Sequence, residues 1–230
     1  MTSLDESDKT SGILLVNTLD LNSQFDLEIS NISISNSSTS LVSFGSIINT
    51  APSVKHISIH NFAYNDSYIE TERNLISTEG IEIEGNLVIT LSQITFHQVS
   101  FYTVGNLISF GHQLPNYVEV IGLMVTNITA GGLHIESTNK QLSDILTLVH
   151  IQDSTFDNID DQYSSLIITG QGGKLNVTNS SFTNIYTYEE GAVLFAGPTA
   201  TEVTFKDAVF INNSAVTGAL FHIESESVVR

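Results

Sequence analysis

The amino-acid sequence predicts an all-β solenoid of about seven to eight turns, coiled as one domain. Three observations predict it. Short apolar segments of one shape recur along the 230 residues, and a second pattern, apolar residue–any residue–Asn, recurs between them. Apolar spacing of 3.6 residues sustained over ten or more positions is missing, which removes helical repeats of similar length.

The first pattern opens with GILLVNT at 12–18 and returns as SLVSFGS at 40–46, NLISTEG at 74–80 and NLISFGH at 106–112. It continues as GLHIEST at 132–138, SLIITGQ at 165–171, AVLFAGP at 192–198 and ALFHIES at 219–225. One column therefore runs through Ile13, Leu41, Leu75, Leu107, Leu133, Leu166, Val193 and Leu220, at intervals of 28, 34, 32, 26, 33, 27 and 27 residues. Most copies start on a small or turn-forming residue and read as short buried strands. The first copy is the weakest. Residues 1–24 are expected to form an N-terminal cap or partial coil, and 25–230 the solenoid, continuing in a longer parent chain.

The second pattern places an amide at Asn36, Asn61, Gln98, Asn127, Asn158, Asn184 and Asn212, each 5 to 14 residues ahead of the next Leu or Val strand. In a solenoid each turn buries its apolar column against the turns above and below, while backbone groups pair between turns. An Asn at a fixed bend can pass a side-chain hydrogen bond to the next turn, so these seven residues are expected to form an inward, shielded ladder.

These columns resemble the right-handed parallel β-helices of the pectin-lyase-like class, with their internal Asn ladder and stacked aliphatic and Phe columns. The tail, FINNSA followed by TGAL, also resembles the repeats of polymorphic outer-membrane adhesins and of large protist surface proteins. The likeness covers nearly the whole chain as architecture and is sharp only in the last two turns, where one Gly of the usual pair is replaced (Glu190-Gly191-Ala192, Thr217-Gly218-Ala219). It implies a right-handed parallel β-helix and a surface or adhesive role.

Composition narrows the function. Seven Lys plus Arg stand against 25 Asp plus Glu, a formal net charge of −18, which disfavours nucleic acid and anionic membranes as partners. With 41% hydrophobic and 14% charged residues the chain is not a disordered acidic tail. No Cys is present, so disulfides and thiolate metal sites are excluded. The opening MTSLDESDKT lacks the basic and apolar regions of a signal peptide, and no apolar run is long enough to insert into a membrane.

The candidate chemistry is sparse. A polyuronate lyase needs cationic groups, and Lys9, Lys55, Arg73, Lys140, Lys174, Lys206 and Arg230 are scattered. A polysaccharide hydrolase needs paired carboxylates. Asp153 with Asp157, or Asp160 and Asp161 with Glu189 and Glu190 on one edge, could supply them or could form a solvated acidic loop. The acidic loops are also weak Ca²⁺ candidates, and no other cofactor is expected. His60 and His97 should stack on the outer face in successive turns, without a third ligand. GQGGK at 170–174 lacks the Ser or Thr of a phosphate loop.

Six of the seven Tyr follow the amide column, which defines a candidate binding edge of Tyr64, Tyr68, Tyr102, Tyr163, Tyr186 and Tyr188 with Asp160, Asp161, Glu189 and Glu190. Rings of this kind stack on sugars or anchor protein interfaces. Asn-x-Ser/Thr occurs at Asn31, Asn36, Asn65, Asn127, Asn176, Asn179 and Asn212. Strand parity predicts glycans at Asn31 or Asn176 and the longest loop predicts one at Asn65, with Asn179 a further candidate, and none on the ladder residues Asn36, Asn127 and Asn212. The expected function is a non-catalytic extracellular or cell-surface scaffold, a coat, filament or adhesin segment without metal or catalytic residues. Its partners are itself, by end-to-end or lateral assembly, or surface glycans and proteins. A carbohydrate-active protein, hydrolase or glycan-binding module, is the alternative.

Overall fold

The structure is a computed structural model that describes residues 12–16, 26–37, 40–44, 47–49, 55–69, 74–77, 81–83, 87–102, 106–110, 117–129, 132–135, 147–161, 165–169, 173–197, 202–217 and 220–224. Among these residues every element is a strand and every strand pair is parallel. The chain is an all-β parallel solenoid.

Two main sheets make its walls. Eight short strands stack in one: Gly12–Val16, Ser40–Phe44, Ile76–Ser77, Asn106–Phe110, Gly132–Ile135, Ile167–Thr169, Leu194–Ala196 and Phe221–Ile223. These are the repeated apolar segments, in the predicted order. Leu75 lies opposite Leu107, and the Val193 amide donates to the Leu220 carbonyl at 3.0 Å. One register correction applies: a slip between Gly132 and Leu133 sets Leu133 opposite Ile108 and Ile167 rather than Leu107 and Leu166. The other wall is a twelve-stranded sheet bent along its length. Its long strands Asp26–Ser35, Lys55–Ile69 and Leu87–Phe101 span both limbs, and later coils split into pairs such as Thr147–Gln152 with Thr155–Asp161. A small pair, Ile47–Asn49 with Ile81–Ile83, completes the described strands. Within residues 1–24 the structure describes only the strand Gly12–Val16.

The bend has a local cause. Among the described residues all thirteen non-glycine residues with positive φ are Asn, Asp or Gln, and with Gly122 they fall into two columns. Inter-strand registers set Asn31, Asn61, Gln93, Gly122, Asp153, Asn179 and Asp207 at one corner, and Asn36, Asp66, Gln98, Asn127, Asn158, Asn184 and Asn212 at the other. The two corners are always five residues apart. Short amide and carboxylate side chains tolerate the left-handed conformation, which other L-residues enter at a cost of about 1–2 kcal/mol.

A left-handed residue also shifts the phase of side-chain alternation. Along Leu87–Phe101 burial runs with two successive outward residues at each corner: Ser92 with Gln93, and His97 with Gln98. The flanking apolar residues Leu91, Ile94, Phe96 and Val99 all point inward. The interior is consequently a set of straight columns. One runs Leu27, Ile57, Ile89, Val118, Val149, Leu175, Val203. Another runs Ile34, Tyr64, Phe96, Val125, Phe156, Phe182, Phe210. Phe182 stacks on Phe156 at 4.9 Å and on Phe210 at 5.2 Å, nearly parallel to both. Each buried Leu, Ile or Phe contributes about 1.5–3 kcal/mol, so these columns carry the fold.

Candidate functional site

The predicted amide ladder requires three corrections. It stands on the outside: Asn36, Asn61, Gln98, Asn127, Asn158, Asn184 and Asn212 are all exposed. Asn61 belongs to the other corner, and Asp66 takes its place opposite Asn36 and Gln98. The rungs are also discontinuous. Asn158 Nδ2 donates to Asn127 Oδ1 at 2.6 Å and Asn212 Nδ2 to Asn184 Oδ1 at 2.8 Å, while Asn184 Nδ2 reaches Asp157 Oδ1 at 3.0 Å. On the first corner Asn61 donates to Asn31 at 2.8 Å and Asn179 to Asp153 at 2.5 Å. The physical reason for the outward placement is the phase shift: the residue in the left-handed conformation follows an outward residue and points outward too.

Inward hydrogen bonding falls to the residue after the corner. Ser154 Oγ accepts from the Leu123 amide at 3.2 Å and donates to the Gln152 carbonyl at 2.9 Å. Ser180 repeats this on Ser154 and Thr178, and Ser67 on Ser37 and Asn65. In the last coil Asn213, not Asn212, reaches back: its Oδ1 accepts from the Ile185 amide at 3.0 Å and its Nδ2 donates to the Phe182 carbonyl at 2.9 Å. These inward polar residues escape notice in the sequence because Ser and Asn are equally common on its surface.

Asn127→Ala is expected to lower stability by about 1–2 kcal/mol, because Ala cannot relieve the left-handed strain and the rung to Asn158 is lost. Asn127→Gly removes the strain and should recover most of that loss. Urea midpoints of the two variants check it. Equal losses for Ala and Gly would place the effect in the hydrogen bond alone.

The Tyr edge divides. Tyr64 is a correction: it is fully buried in the aromatic column, with its hydroxyl 3.5 Å from the Ser37 carbonyl. Asp161 is also buried, opposite Thr187, whose buried Oγ1 has no hydrogen-bond partner among the described residues. Tyr68, Tyr102, Tyr186 and Tyr188 stay exposed, by 48, 67, 37 and 49%. Tyr68 meets Tyr102 edge-on at 6.5 Å, and Tyr186 meets Tyr188 edge-on at 5.0 Å. Registers align Tyr68, Ser100, Thr129, Asp160 and Tyr186 in one outward column. Glu189 and Glu190 lie within the strand Ser181–Glu190, their side chains outside the described residues, as is Tyr163.

The His residues do not stack. His60 Nδ1 lies 2.6 Å from Ser92 Oγ, and His97 Nδ1 lies 2.7 Å from Thr126 Oγ1, because the two belong to different corners. Lys174, in the strand Gly173–Thr178, pairs with Glu202 at 2.8 Å.

A shallow groove of about 240 Å³ runs along the first corner, lined by Asp153, Thr155, Asn179, Ser181 and Asp207 among others. Its two carboxylates are two strand spacings apart, roughly 10 Å. The amides of Asn179 and Gln152 bond the Asp153 carboxylate and lower its pKa. A general acid in a hydrolase needs the opposite shift. Asp153 accepts hydrogen bonds from Gln152 and Asn179 at the corner.

Of the expected glycan sites, Asn31 and Asn179 are exposed at the first corner, and Asn176 takes the outward position between buried Leu175 and Val177. Asn65 is corrected: it is half-buried inside the strand Lys55–Ile69, not in a loop. Comparisons of the chain with protein families, with curated proteins and with solved structures give no match.

Proposed function

We propose that this solenoid is a non-catalytic structural scaffold of an extracellular or cell-surface assembly, in the manner of the adhesin-type and pectin-lyase-like β-helices its repeats resemble. The observation that carries the reading is the use of its two corners. They form straight external rows of amides and carboxylates, and five of the seven acceptor sequons sit on them, at Asn31, Asn36, Asn127, Asn179 and Asn212. Apolar columns fill the interior, so rigidity needs no disulfide. Self-association belongs to the proposal. Val209 and Ile211 stand exposed at strand positions opposite Ser181 and Thr183, and Val216 is exposed in the strand Ser214–Thr217. Exposed apolar groups in one region favour a protein contact.

Glycopeptide mapping of the protein from a secretory eukaryotic host tests this, together with protease shaving of intact source cells. The outward corner reverses the expectation for Asn127, which is exposed and not shielded. Asn31 and Asn127 accept the rung bonds, which leaves Asn127 Nδ2 to carry a sugar and Asn31 Nδ2 held only by a 3.4 Å bond to the neighbouring Ser30 Oγ, whereas Asn179 and Asn212 donate their Nδ2 to the rungs. Occupancy is therefore expected first at Asn31 and Asn127. A chain bearing no glycan and protected from shaving until cells are lysed would overturn the surface reading.

A further inference from the structure

We infer that the tyrosine face is a binding track for an extended, neutral oligosaccharide lying along the solenoid axis. The inference rests on the surface-scaffold reading above and adds the ligand class and its orientation. The outward column has aromatic rings at its two ends, Tyr68 and Tyr186, with Ser100, Thr129 and Asp160 between them at consecutive strand levels. Tyr102 and Tyr188 brace the end rings edge-on, which fixes each platform before a ligand arrives.

Three features select a sugar over another occupant. Aromatic platforms with polar groups between them suit a ligand carrying apolar faces and hydroxyls together, whereas the core of a protein interface is depleted of charged groups such as Asp160. The intervening groups, two hydroxyls and one carboxylate, accept and donate at every strand spacing, close to the rise of one pyranose unit in an extended chain. The net charge of −18 repels uronates and sulfated glycans, so the ligand is neutral. The end rings are four strand spacings apart, roughly 19 Å, so a segment of about four to five sugars reaches both.

Titration calorimetry with cellohexaose, mannohexaose, chitohexaose and hexagalacturonate tests the track on the full chain. At least one neutral hexamer is expected to bind, about 100-fold tighter than its dimer, because only the longer chain engages both platforms. Tyr68→Ala and Tyr186→Ala should each weaken it about tenfold, the equivalent of one lost stacking contact. Both rings are exposed, and unchanged melting of the variants confirms that they fold. Binding that ignores both substitutions, equal binding of hexagalacturonate, or failure of all three neutral hexamers overturns the inference. So does capture of a protein through the same rings. Glycan occupancy and surface exposure are measured separately, so a glycosylated surface protein that binds no hexamer sinks this inference alone.

Discussion

Phe182→Ala is expected to lower the stability of the solenoid by about 3–5 kcal/mol, the range for truncating a buried Phe to Ala. The ring is fully buried and touches aromatic neighbours in both adjacent coils: Phe156 above at 4.9 Å, Phe210 below at 5.2 Å, and Phe205 edge-on at 6.0 Å. Its removal opens a cavity between three coils whose backbones are fixed by parallel pairing on both sides, so the walls cannot collapse into it. In a solenoid the interface between neighbouring coils is the unit of stability, and this substitution weakens two such interfaces at once. Urea denaturation followed by far-UV circular dichroism measures the loss. Phe210→Ala serves as the internal comparison, because Phe210 is half-buried and should lose distinctly less. Equal losses at the two positions would show that the stack is not what holds these coils together.

How far the sequence discloses this fold depends on which residues vary. The short-strand column was legible because its members are all Ile, Leu or Val behind a small residue, and only the slip at Leu133 escapes it. The second corner was legible because five of its seven members are Asn behind an apolar residue. The first corner was not, since Asn, Gln, Gly and Asp share it and no single letter repeats. What does repeat is the spacing of five between corners, and that spacing alone would have placed Asn61 at the first corner and Asp66 at the second. One misassigned residue then carried two errors. With Asn61 taken as the second corner, Tyr64 fell in a loop and Asn65 beside it. With Asn61 at the first corner, Tyr64 falls into the Phe column and Asn65 onto an outward strand position. Strict two-residue alternation likewise placed the amides inside, because it ignores the phase shift that a left-handed residue introduces. Tyr68, Tyr102, Tyr186 and Tyr188 are exposed as their loops suggested, but the column that joins Tyr68 to Tyr186 needed the register.

Gly191→Ala is expected to cost about 2–5 kcal/mol, combining left-handed strain of 1–2 with overpacking of 1–3. Gly191 has φ of +73°, and a Cβ there would press on the Leu194 carbonyl oxygen and lie 2.6 Å from the His222 amide nitrogen. Both obstacles are backbone, so no side-chain rotation relieves them. The strand Phe221–Ile223 would have to move away from Leu194–Ala196, breaking the Leu194–Phe221 register and the stack of Phe195 on His222 at 5.1 Å. Gly122 supplies the contrast. Its φ of +66° is nearly the same, but a Cβ there meets nothing closer than the Gln93 amide at 3.9 Å, and every other member of its corner is Asn, Asp or Gln. Gly122→Asn should therefore be neutral or stabilise by about 0.4–1 kcal/mol, through a less flexible unfolded chain. Hydrogen exchange separates the mechanisms: Gly191→Ala should expose the amides of 221–223 ahead of the rest of the solenoid, whereas Gly122→Asn should leave every coil protected. If Gly191→Ala left 221–223 as protected as in the parent chain, the close backbone approach would not be the reason for glycine at that turn. Two glycines with one backbone conformation thus separate two demands: Gly122 stands where a left-handed bend is needed, and Gly191 where a left-handed bend and a neighbouring strand occupy the same space.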